Sequence, residues 1–197
     1  MAETTVREKQ YLPHERHELA IYLLIASFAV FFTAMLLMFA IRFIWFVPEQ
    51  YLRSPKGIPS ILYVSTAVLL MGSACVHTGL RQIRQEKQQL LRLCLVAGLI
   101  LGVLFCILQT FGLSQLLEQH YTGSIAHNNP FAFIFVMVVF HALHFIGGLV
   151  GLIIVMFYAY QQRYDHEYHG GIKLVTTYWH FMDLVWVVML VLMFFSL

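Results

Sequence analysis

Five long stretches almost free of charge constrain this chain more than any other feature. They fall near residues 19–46, 58–82, 90–117, 129–162 and 172–197 of the 197-residue sequence. Each exceeds the ~20 residues that carry a helix across a hydrocarbon core of roughly 30 Å. With 60% hydrophobic and only 11% charged residues, the chain is too apolar for a soluble domain of its length. The runs are continuously apolar, whereas the strands of a membrane barrel would alternate in segments of roughly 10 residues. The expected fold is therefore all-α: a polytopic membrane protein, built as one bundle of five transmembrane helices over 19–197, with 1–18 as a cytoplasmic N-terminal segment.

Threading five spans sorts the cations unevenly. Arg7, Lys9, Arg16, Arg81, Arg84, Lys87, Arg92, Arg163 and Lys173 fall on the side of the N-terminus, and Arg42, Arg53 and Lys56 fall opposite. Bias of this kind in short loops sets orientation, so the N-terminus is expected inside and the C-terminus outside. The first apolar run is too long for a cleaved signal and lacks a flanking small-residue cleavage site, so it should remain as a helix. The connection at 47–57, with Pro48 and Pro55, and Pro59 after it, reads as a turn leading into the second helix. Short loops make neighbouring helices antiparallel, and the longest polar segment, about 18 residues, is too short to bury a core of its own.

Several function classes can be set aside. A formal charge of +2 with dispersed basic residues does not point to nucleic acid. Cys75, Cys94 and Cys106 lie inside the apolar runs without Cys-x-x-Cys spacing, which suggests small buried side chains rather than a disulfide framework or zinc site. Gly98 with Gly102, and Gly147 with Gly151, have the four-residue spacing that lets membrane helices approach closely. Such pairs also arise by chance, and each is read equally as a packing contact or as a coincidence.

The few polar groups inside the apolar runs carry the functional information. Asp183 is the only carboxylate in any of them. A charge at mid-bilayer costs at least roughly 2.5–3.5 kcal/mol unless protein, water or a head group receives it. Thr176, His180, Asp183 and Trp186 recur at three- and four-residue spacing and so share one helix face. That stripe is either a seam that docks on a partner helix or lipid head group, or a private hydrogen-bonded contact within the bundle.

His141 and His144 are likewise three apart on the fourth helix, and His141 lies more than about 15 Å below its start. Together with His77 and His180 they raise the question of a metal or haem site. Axial haem ligands sit at matching depths on facing helices, each with a partner behind it. His77 and His180 count nearer the inner end and His141 nearer the outer half, so structural histidines satisfied by neighbouring polar groups are the simpler expectation. A proton path would need ionisable groups from one surface to the other. The first helix has no acidic or basic residue between Glu18 and Arg42, and the third none between Arg92 and Glu118.

The run Tyr178-Trp179-His180-Phe181-Met182-Asp183-Leu184-Val185-Trp186 resembles the Tyr-Trp-His-Phe-x-Asp-x-x-Trp pattern of subunit III of haem-copper terminal oxidases. Phe140-His141-Ala142-Leu143-His144-Phe145-Ile146-Gly147-Gly148 is similar to that family's His-Gly-Leu-His-Val-x-x-Gly run. More weakly, 62–77 looks like its Ser/Thr-rich helix and 104–109 like its Leu-Phe-x-x-x-Gln segment. Five helices match the short form of the family, which lacks the first two of seven. The chain departs at Phe28 after Ala26-Ser27, where the family often carries a carboxylate linked to proton uptake, and at Gly112, near a position that is often Glu.

The resemblance implies a non-catalytic subunit with no haem, copper or active site of its own, those cofactors residing in partner subunits. It implies packing against subunit I, with subunit II and a small subunit IV as further candidate partners, and phospholipid held between the helices. The setting implied is aerobic respiratory electron transfer in a bacterial inner membrane, with a respiratory supercomplex compatible with it. His141, His144, Tyr178, Trp179, His180, Asp183 and Trp186 are then structural, lipid-contact or subunit-contact residues. Two alternatives stand beside it: a subunit III-like accessory of a nitric oxide reductase system, and a membrane b-type cytochrome with haem on His77, His141, His144 or His180. The electron donor, quinol or cytochrome c, is not written in this chain.

Overall fold

The computed structural model describes residues 14–46, 59–83, 88–122, 131–161 and 170–196. They form five helices: α1 (His14–Phe46), α2 (Ser60–Ile83), α3 (Gln88–Thr122), α4 (Phe131–Tyr160) and α5 (Gly170–Ser196). The shortest, α2, has 24 residues, which at ~1.5 Å per residue already exceeds a bilayer core. All five are long and apolar enough to cross a membrane. The all-α, five-span architecture is thus as the apolar runs require. The segment 1–13, the 47–57 turn with its Pro48 and Pro55, and the loop cations Arg7, Lys9, Arg53, Lys56, Arg84, Lys87 and Arg163 lie outside the described residues.

Helix ends differ from the apolar runs for a physical reason. α1 starts at His14, ahead of Leu19, and α3 continues to Thr122, past Leu117. Hydropathy marks the part of a helix that lipid surrounds, while the backbone hydrogen-bond ladder extends into the interfacial zone wherever the sequence permits. At α2 the start is set by Pro59, whose carbonyl accepts from Leu62 N at 3.0 Å. Proline has no N–H to lose at such a position.

The cross-helix contacts define an up-and-down bundle. Between α2 and α3, Ser65 meets Gln109, Gly72 faces Gly98, and Gly79 faces Cys94, so rising numbers on one helix meet falling numbers on the other. Between α3 and α4, Phe105 meets Phe145, with ring centres 4.8 Å apart. Between α1 and α4, Phe32 meets His141 and Phe39 stacks on Phe133. Helix α5 touches all the others: Trp186 reaches α2, α3 and α4, and α1 packs on it as well. Its Trp179, Met182, Trp186, Met189 and Met193 are all buried.

The surface is apolar like the core, which itself admits a few polar side chains. Leu37, Met38, Met71, Leu143, Phe157, Leu184 and Phe194 face outward, while Ser65, Ser73, Gln109, His141, Thr176 and Asp183 are buried. When lipid is the solvent, apolar burial no longer drives association, so close packing and interhelical hydrogen bonds hold the helices. Glycines on α2 and α3 let those two backbones approach. A Cβ on Gly72 would stand 3.3 Å from that of Leu101 and 3.8 Å from the Gly98 carbonyl oxygen. The Ser65 hydroxyl, shared between Leu62 O at 2.9 Å and Gln109 Oε1 at 3.1 Å, ties the same pair.

Candidate functional site

The polar residues of α5 divide between two faces one turn wide. One face, carrying His180, Asp183 and Trp186, meets α2. His180 Nδ1 lies 2.8 Å from Ser73 Oγ and 3.8 Å from Asp183 Oδ2, and its Nε2 lies 3.3 Å from His77 Nδ1. Two turns along, Trp186 Nε1 donates to Thr66 Oγ1 at 2.9 Å. The α2 partners Thr66, Ser73 and His77 sit at relative positions 0, 7 and 11, which is one helical face. The seam is therefore an intrachain α2–α5 contact, open at one end: the His180 side chain is 44% exposed and that of Asp183 only 7%. Neither Asp183 oxygen meets a hydrogen-bond partner among the described residues. Thr176, placed on this stripe by its spacing, instead bonds back to Ile172 O of its own helix at 2.7 Å.

Trp179 and Tyr178 point elsewhere. The Trp179 ring is buried against Gly102 of α3 and packs edge-on to Phe145 of α4, centre to centre 5.2 Å. Tyr178 lies on Gly148, and its hydroxyl donates to the His144 carbonyl at 2.8 Å. That bond closes one wall of a cleft of about 470 Å³ between α1, α4 and α5. Leu24, Phe28, Leu143, Gly147, Leu174 and Val175 line the rest of it, with His144 as the polar exception beside Tyr178.

The two histidines of α4 do not act as a pair. His144 turns to the cleft, where Nδ1 meets Phe140 O at 2.6 Å and the ring takes Phe28 edge-on at 4.2 Å. His141 turns inward and is 2% exposed, among Phe32, Phe145 and Trp186. Neither of its ring nitrogens meets a partner among the described residues. The expectation of histidines satisfied by neighbouring polar groups fits His144 and fails for His141, because positions three apart are turned ~60° from each other and here that angle separates a cleft from an aromatic core.

The histidines considered as haem ligands occupy three environments: His77 with His180 at the α2–α5 face, His141 in the core, and His144 at the cleft. Among the described residues no three His, Cys, Asp or Glu side chains gather closely enough to hold a metal ion. Sequence spacing missed the α2 partners Thr66 and Ser73 and the α2–α3 bridge from Ser65 to Gln109. The signal was available as one face of small hydroxyls on an apolar helix. Phe28, where the chain departs from the family's motif, sets its ring edge-on against His144.

Comparison with known proteins covers all five helices. The family model described as cytochrome c oxidase subunit III matches residues 14–196. Cytochrome c oxidase subunit 3 of Synechocystis is 27% identical over 180 residues, 87% of this chain and 71% of the relative. Probable quinol oxidase subunit 3 of Staphylococcus aureus is 24% identical over 169 residues, 82% and 83% of the two chains. Cytochrome bo(3) ubiquinol oxidase subunit 3 of Buchnera aphidicola is 24% identical over 128 residues, 65% of each. The match spans about half the length of other relatives, such as the subunit 3 of Cyanidium caldarium, at 51%. With the model matched from the first described helix to the last, and five helices able to span a bilayer, this multi-pass membrane protein belongs to the cytochrome c oxidase subunit III family of the haem-copper oxidases.

Proposed function

We propose that the chain is the non-catalytic subunit III of a haem-copper terminal oxidase in a bacterial inner membrane, its N-terminus on the cytoplasmic side. It packs against subunit I, which carries the haem and copper and reduces oxygen to water, and contacts subunit II and a small subunit IV where present. The family match across 14–196 carries this reading. The architecture supports it: the matched motifs are spent on holding α5 against α2, α3 and α4, as expected of a scaffold. Purification through a peptide tag on this chain in mild detergent should bring down a haem-bearing subunit with an oxidase spectrum, while the chain alone shows no Soret band. Recovery as a solitary haem-free protein, or a Soret band from the chain alone, overturns the proposal.

The cleft between α1, α4 and α5 is the proposed phospholipid site. At about 470 Å³ it admits an acyl chain, and its lining is apolar apart from His144 and Tyr178. Gly147 forms part of the floor, and a Cβ there would meet nothing within 4 Å. Gly147→Phe should therefore fill the cleft without disturbing helix contacts. Native mass spectrometry of the purified complex is expected to show at least one fewer tightly held lipid per complex, with unchanged subunit composition. Unchanged lipid content would remove the cleft from the proposal.

A further inference from the structure

We propose that the cleft between α1, α4 and α5 takes a lipid-soluble hydroquinone, one of whose hydroxyls donates a hydrogen bond to His144 Nε2. This rests on the reading of the cleft as open to membrane-soluble molecules, and adds the class of molecule that its buried polar end selects. His144 Nδ1 lies 2.6 Å from Phe140 O, the carbonyl one turn back on the same helix. A carbonyl only accepts, so the ring hydrogen stands on Nδ1, and Nε2 of the neutral imidazole is left as an acceptor. Nε2 meets no hydrogen-bond partner among the described residues, although the ring lines the cleft. The rings packed around it, Phe28, Phe31 and Phe32, have no polar donor to give.

Depth decides which donors can reach this nitrogen. His144 stands between Phe131 and Tyr160, the ends of α4, about 20 Å along the axis from the first and about 24 Å from the second. That is the middle of a hydrocarbon core of roughly 30 Å, where water does not supply the missing bond and a bare polar group is costly. A phospholipid carries its polar atoms at the edge of the core, and its acyl chains hold no donor. An acyl chain in the cleft therefore leaves Nε2 unpaired. The ligand that satisfies it brings a hydroxyl to the midplane, as an uncharged phenolic ring on an apolar tail does.

The shape of the cleft suits a flat ring. Its volume of about 470 Å³ lies within the roughly 300–1,000 Å³ of small-molecule sites, which are mostly apolar with a few placed polar groups. Gly147 leaves bare backbone on the floor, since a Cβ there would meet nothing within 4 Å. Phe28 and Tyr178 line the walls, with ring centres 6.2 Å apart. The Tyr178 hydroxyl, already donating to His144 O at 2.8 Å, keeps lone pairs for the second hydroxyl of the ligand. The oxidised quinone has carbonyls in place of both hydroxyls and cannot donate to Nε2. The fixed tautomer thus makes the site selective for the reduced form.

The experiment is equilibrium binding to the full chain in phosphatidylcholine nanodiscs, without oxygen, read by native mass spectrometry. The probes share one tail: decylubiquinol, decylubiquinone, and the dimethyl ether of decylubiquinol, which keeps the ring and has no donor. The expected result is one saturable decylubiquinol per chain, with the quinone and the ether each weaker by about 3- to 20-fold, the range one membrane hydrogen bond supplies. His144→Leu should weaken decylubiquinol by the same factor and bring the probes level, and Gly147→Phe should abolish binding of all of them. Because a variant can fail to fold, the comparison of probes on the unaltered chain is a test by itself. Equal binding of the probes there, no saturable decylubiquinol, or undiminished binding by folded His144→Leu overturns the proposal. So does a cryo-electron microscopy map of the purified complex in which a side chain of a partner's helix donates to Nε2. The phospholipid reading is separable: if decylubiquinol fails while Gly147→Phe still sheds a lipid from the complex, only the hydroquinone falls.

Discussion

Trp186→Ala should destabilise the bundle by about 3–5 kcal/mol, the range for removing a fully buried large aromatic. Trp186 is 0% exposed and joins three other helices to α5. Its indole N–H bonds Thr66 of α2 at 2.9 Å, and its ring lies 5.8 Å from Phe105 of α3 and 5.5 Å from His141 of α4. Truncation leaves a cavity at the centre that tilting of one helix cannot close, since each neighbour is fixed against another. It also exposes the unpartnered His141 ring to that void. The measurement is reversible unfolding in mixed micelles, monitored by near-ultraviolet circular dichroism. A cost below 1 kcal/mol would show that α5 is not the hub of the bundle.

The hydrogen bond and the packing can be separated. Trp186→Phe retains an aromatic body and loses the bond to Thr66, and membrane hydrogen bonds average roughly 0.6 kcal/mol with a maximum near 1.7. The expected order is therefore Ala far worse than Phe. Combined with Thr66→Val in a double-mutant cycle, the coupling should come to about 0.6–1.7 kcal/mol. The fold would then depend on this tryptophan mainly for volume.

Particular residues show how far the sequence speaks for this architecture. The spans are legible because a bilayer imposes a length and a composition that few other environments demand, so five apolar runs become five helices. Asp183 is legible as costly because nothing else acidic shares the runs. The face onto which it docks is not, because spacing on α5 states which residues share a stripe and leaves open which helix receives it. Thr66, Ser73 and His77 identify α2 only once the topology brings them to 180–186. Spacing also treats His141 and His144 alike, whereas the rotation of α4 sends one into the aromatic core and the other to the cleft. Rotation about the helix axis is set by the sum of contacts with neighbours, which no local pattern contains.

Gly102→Leu is the second substitution expected to damage the fold severely, and it resolves an ambiguity that spacing leaves open. Gly98/Gly102 and Gly147/Gly151 carry the same four-residue repeat, yet they occupy different surroundings. A Cβ on Gly102 would stand 2.8 Å from Leu149 Cδ2 and 3.0 Å from the Trp179 ring, and one on Gly98 2.6 Å from Val76 Cγ2. The Leu149 methyl can swing aside, but the Trp179 ring is rigid, 2% exposed and wedged against Phe145. Relief must come from moving α3 away from α4 and α5. Overpacking costs typically about 1–3 kcal/mol and occasionally more, and a rigid obstacle puts this case at the upper end. Gly147, by contrast, meets nothing within 4 Å and Gly151 only Val175 at 3.6 Å. Gly147→Ala should be neutral or stabilising by up to about 1 kcal/mol, because alanine loses less backbone freedom in a helix. Measured side by side in micelle unfolding, a large loss for Gly102→Leu with none for Gly147→Ala establishes that the α3 pair, and not the α4 pair, seats the helices. Equal losses would mean that both repeats pack within the bundle.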